Sequence, residues 1–116
     1  MRYFVIVLTF SEEFGHMGSR RNLIGEGNDW KMVHQYSNEL HVTSGTPPVF
    51  LVLADDDKSV VPRNSIEFYS ALKAHNVPAE MHIFQKGGHG FGMRNNNIPA
   101  DNWPQLFMDW LKATGF

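Results

Sequence analysis

One stretch, PPVFLVLADDDKSVVP at residues 47–62, restricts the possible folds more than any other. Residues 49–54 are continuously apolar, the pattern of a strand covered on both faces, and Asp55, Asp56 and Asp57 end the run abruptly. Pro47 and Pro48 fix its entry, because proline ends helices and restricts the residue before it. About thirty residues later, AEMHIFQKGGHGFG sets His89 among glycines. Parallel sheets gather functional groups at the carboxyl ends of their strands, so an acid and a histidine that each follow a strand are expected to meet there.

The segment between them predicts a helix. Pro62 suits a first helical turn, and Ser65, Phe68, Tyr69 and Leu72 share one face at helical period. Asn76 and Pro78 then close it, an αL-tolerant residue followed by one that cannot continue. Residues 80–85 predict an outer strand, with Met81 and Ile83 on one face and His82 and Phe84 on the other. Gly87 and Gly88 predict a tight loop that a side chain at either position would obstruct. Asn102 is expected to cap a final helix carrying Trp103, Leu106, Phe107, Trp110 and Leu111 as an apolar stripe. Those aromatics could stack on sugar rings, but beside two leucines at helical spacing they read as core.

Upstream, residues 3–9 are apolar and β-branched and predict a strand inside a sheet. Residues 11–46 predict an irregular excursion with short helices at 19–24 and 29–37, joined by a GEGN turn at 25–28. The expected architecture is α/β: about three parallel strands with flanking helices and right-handed crossovers, in one partial domain over residues 1–116. So few strands leave an unpaired edge beside residues 3–9, which predicts association with a second copy or with a complementary chain.

Composition removes several functions. A formal charge of −2 with scattered basic residues argues against nucleic acid, which needs a basic face to displace counterions. No stretch reaches the roughly 20 apolar residues of a membrane span. The N-terminal run is short and is followed by Ser11, Glu12, Glu13 and Phe14 instead of a small-residue cleavage site, so it reads as a strand and not a leader. With no cysteine there is no disulfide, thiolate metal site or cysteine nucleophile. The other histidines lack HExxH spacing, and Asp55 to Asp57 lack the alternation and distal Glu of a calcium loop, so no metal or cofactor is expected.

Asp57 and His89 are the candidate catalytic pair. In a hydrolytic triad a carboxylate accepts the histidine Nδ1 proton, fixing the tautomer and stabilising the imidazolium formed when Nε2 takes the nucleophile's proton. Asp56 is the alternative acid, since a triple Asp permits a one-residue slip. Carboxylates this close also repel, which raises the pKa of whichever is most buried.

The run FLVLADDDKSVVPRNSIEFYSALKAHNVPAEMHIFQKGGHGFGM, the closing Trp103 and DWL, and the upstream GHMGSRRNLIG and YSNELHVTSGTPP together resemble the C-terminal part of α/β-hydrolase esterases. The similarity is to the acetyl xylan esterase or endo-xylanase-associated esterase group, which also resembles prolyl oligopeptidase-like hydrolases. It implies the C-terminal part of an α/β-hydrolase fold, with Asp57 as the family acid and His89 in GGHGF as the catalytic histidine. It also implies a small ester or acetylated carbohydrate as substrate. Family members carry a G-x-S-x-G elbow and a Gly-rich oxyanion loop ahead of the strand matching residues 3–9, and neither motif stands in this sequence. Removing a triad member costs several kcal/mol of transition-state stabilisation, and losing an oxyanion donor about 3 to 4 more. The expectation is therefore a carbohydrate-associated serine esterase segment that keeps acid and base and is feeble alone. The alternatives are a non-catalytic interaction module, or half of a split hydrolase completed by an N-terminal fragment.

Overall fold

The computed structural model describes residues 15–26 and 29–115. The strand expected at residues 3–9, its edge, and the last two residues of the GEGN turn lie outside them.

Two parallel strands, β1 (Val49–Ala54) and β2 (Ala79–Phe84), are joined by helix α3 (Arg63–Ala74). Their register runs from Val49 opposite Ala79 to Ala54 opposite Phe84. The Asp55 N–H donates to the Phe84 carbonyl at 2.7 Å, carrying the ladder one step beyond β1. The acidic run and the glycine loop therefore leave the sheet side by side.

Both faces of β1 are covered, which explains its unbroken apolar sequence. On one face Val49 and Leu51 pack with Phe68 and Leu72 of α3, together with Val42 and Val77. On the other, Phe50 meets Phe107 and Trp110 of helix α4 (Trp103–Ala113), with ring centroids 5.3 and 5.5 Å away. The apolar stripe on α4 thus builds the second half of the core. Within β2, Met81 borders the α3 core while the His82 ring lies 5.4 Å from Phe50, so the strand alternates as expected.

The helix ends follow local chemistry. Asn76 takes the left-handed conformation at φ 57° just after α3. Helix α1 (Met17–Ile24) begins two residues before the expected start because His16 Nδ1 accepts the Ser19 N–H. In α2 (Trp30–Tyr36) the Asp29 carboxylate caps the Lys31 N–H. Asn102 is a correction: it holds the position before α4 but makes no capping side-chain bond. A 3-10 turn over residues 99–102 precedes the helix, and Asp101 accepts the N–H groups of Asn96 and Ile98 to hold it. No helix among the described residues is long and apolar enough to cross a membrane.

Candidate active site

Asp57 sits two residues past the last β1–β2 ladder bond, in a turn closed by its own N–H donating to the Ala54 carbonyl. Its Oδ1 accepts from the backbone N–H groups of Ser59 and Val60, both at 2.9 Å. This turn chemistry was open to sequence inspection, because an Asp with Ser two places on commonly folds back onto its own backbone. With one oxygen so engaged, Oδ2 faces His89 Nδ1 at 2.9 Å.

The Asp57 carboxyl is 11% exposed and the His89 side chain 50%. Burial alone would raise the Asp57 pKa. The bond from His89, the two backbone N–H donors and the positive potential of the imidazole outweigh it, and the net shift is downward. An ionised carboxylate has no proton to give, so the contact requires Nδ1–H of His89 to donate. The Nε2 lone pair is then the basic site of the neutral ring.

Asp56, the alternative acid, has another partner: its Oδ1 accepts the Gly88 N–H at 2.7 Å. The two glycines before His89 are required for different reasons. A Cβ on Gly87 would lie 2.9 Å from both the Ala54 Cβ and a ring carbon of Phe91. At Gly88 nothing would be struck, which corrects the expectation of an obstructed side chain there; its φ of +63° is what excludes most residues. The far end of the loop is fixed by Trp103, whose Nε1–H donates to the Gly92 carbonyl at 2.8 Å. Neither the Asp56 nor the Trp103 bond has a sequence signature, since each joins groups that only the packed loops bring together.

Asp57 and His89 line a cleft of about 220 Å³ with the strand residues Phe50 to Ala54, Ser65, Phe91 and Trp103. Its wall is largely apolar, with the bonded Asp57 and His89 side chains among the few polar groups that line it, the usual character of a small-molecule site. The remaining histidines of the described residues serve elsewhere: His16 caps α1, His41 donates to the His34 carbonyl, His75 to the Ala71 carbonyl, and His82 pairs with Glu80. Among the described residues no group of three or more His, Asp or Glu side chains could hold a metal ion.

A parallel β-α-β unit with a carboxylate after one strand and a histidine after the next is the arrangement of an α/β hydrolase, and solved structures of that fold superpose on it. An acetyl ester-xyloside bifunctional hydrolase from Caldicellulosiruptor lactoaceticus matches with a TM-score of 0.85 and 42% identity, over 90% of this chain and 39% of that one. A carboxylesterase from Lactobacillus plantarum matches with a TM-score of 0.74 and 28% identity, over 94% of this chain and 42% of that one. Residues 2–114 match the prolyl oligopeptidase family, and the chain belongs to it. It is 35% identical over 114 residues to an acetylxylan esterase of Xylanibacter ruminicola. That alignment covers 95% of this chain and 24% of the relative, so the chain spans about a quarter of the relative's length.

Proposed function

We propose that this chain supplies the acid and the base of a serine esterase that removes acyl groups, such as acetyl, from small carbohydrates. The single observation carrying the proposal is the 2.9 Å bond between Asp57 Oδ2 and His89 Nδ1 at the edge of an apolar cleft. The substrate class is argued from the acetylxylan esterase and the acetyl ester-xyloside hydrolase to which the chain is similar.

In this scheme Nε2 of His89 takes the proton of a serine hydroxyl as its oxygen bonds to the ester carbonyl carbon. The imidazolium, stabilised by Asp57, then returns that proton to the departing sugar oxygen. A water repeats the sequence to release the acid. No serine of the sequence stands in a G-x-S-x-G turn, so the nucleophile and its oxyanion donors are assigned to polypeptide other than these 116 residues.

The test is hydrolysis of p-nitrophenyl acetate, first by the chain alone and then with a polypeptide bearing a G-x-S-x-G elbow. The expected outcome is a rate near buffer for the chain alone and a His89-dependent rate for the pair, reduced by about 10³-fold or more in His89→Ala. An enzymatic rate from the chain alone would refute the external nucleophile. A paired rate indifferent to His89→Ala and Asp57→Ala would refute the acid–base assignment.

A further inference from the structure

Resting on the acid–base role proposed above, we propose that Asp56 is a positioning residue for His89, acting through the Gly88 N–H so that Nδ1 of the imidazole stays on Asp57. The geometry is that of two adjacent carboxylates with divided tasks. Asp57 takes the ring at 2.9 Å, while Asp56 takes the backbone one residue before the ring at 2.7 Å. Both carboxylates leave the same turn, so the distance between them is set by the chain. Holding Gly88 therefore fixes the Cα of His89 relative to the acid it must meet.

The loop needs such a clamp. Gly88, Gly90 and Gly92 all adopt positive φ, at 63°, 66° and 58°, so the backbone on either side of His89 carries three residues of high conformational freedom. His89 itself is half exposed, and packing does little to hold its ring. A charge-assisted bond at the near side and the Trp103 bond to Gly92 at the far side restrain a segment that its own sequence leaves loose.

The experiment reads His89 directly and does not require turnover. Ring nitrogen shifts by ¹⁵N NMR give the fraction of neutral His89 protonated at Nδ1, and hydrogen exchange gives protection of the Gly88 amide. In Asp56→Ala, Gly88 exchange is expected to accelerate by about tenfold or more, with the Nδ1–H population falling toward a tautomer mixture. In Asp56→Asn, whose amide oxygen accepts in the same place without charge, Gly88 exchange is expected to rise by about fivefold while Nδ1 remains the protonated nitrogen. Asp56→Asn is the milder change and carries the test if the alanine variant does not fold. Unchanged Gly88 exchange in the folded variants, or faster exchange in Asp56→Ala with an unaltered His89 tautomer, would overturn the proposal. Loss of the esterase reading would show separately, as hydrolysis indifferent to His89→Ala beside an intact NMR response to Asp56→Ala.

Discussion

At the scale of single residues, the division of labour among three consecutive aspartates organises the site. Asp55 continues the ladder through its backbone, Asp56 holds the Gly88 amide, and Asp57 holds the imidazole. Because the Asp57 pKa is lowered in the folded chain relative to an ordinary carboxylate near 3.9, its contribution to stability is fully present above about pH 4. That contribution is lost as pH falls through the folded value. Urea unfolding between pH 2 and 7 should show an acid-side loss that is smaller in Asp57→Asn. The glycines give a second residue-scale test. Gly87→Ala drives a methyl group against Ala54, which is 1% exposed and fixed in the strand, so a loss of about 1 to 3 kcal/mol is expected. Gly88→Ala meets no atom and should cost only the left-handed conformation, about 1 to 2 kcal/mol. Thermal unfolding of both variants compares the two causes.

At the scale of elements, α3 and α4 press on opposite faces of β1. Leu72 of α3 is fully buried among Val42, Leu51 and Phe68, so Leu72→Ala should destabilise by about 2 to 5 kcal/mol, read as a lower urea midpoint. Phe107 of α4 is only partly buried, yet its ring contacts Phe50, Trp103 and Trp110. Phe107→Ala should therefore loosen α4 and release the Trp103 anchor on Gly92, seen as a shift in tryptophan fluorescence with faster amide exchange in residues 87–92. Helix α4 links packing to chemistry, since one end of its stripe closes the core and the other fastens the histidine loop. Its aromatic spacing predicted the first role. The second depends on the Trp103 indole N–H meeting a carbonyl that a polar loop returns to it, and no periodicity encodes that.

At the scale of the whole molecule, the chain spans about a quarter to two-fifths of the three relatives described above. Under the proposed function a complementary polypeptide carrying the nucleophile binds only the folded chain, and it should stabilise the fold by mass action. The expected gain is about 2.7 kcal/mol at a free concentration one hundred times Kd, measured as a rise in unfolding temperature that grows with added partner. The order of the described elements was legible in the sequence because local signals carry it. Unbroken apolar runs mark strands covered on both faces, a 3.6-residue period marks α3 and α4, and Asn76 followed by Pro78 marks a stop. That an acid and a histidine would follow neighbouring strands was legible for the same reason. The resemblance already pointed to Asp57 as the partner of His89, and the 2.9 Å bond agrees. What holds Gly88, and why Gly87 and Gly88 resist substitution by different mechanisms, were decided by the tertiary structure alone. Each depends on distances between segments about thirty residues apart, and those distances are set when the β1–β2 register and the packing of Ala54, Phe91 and Trp103 are fixed together.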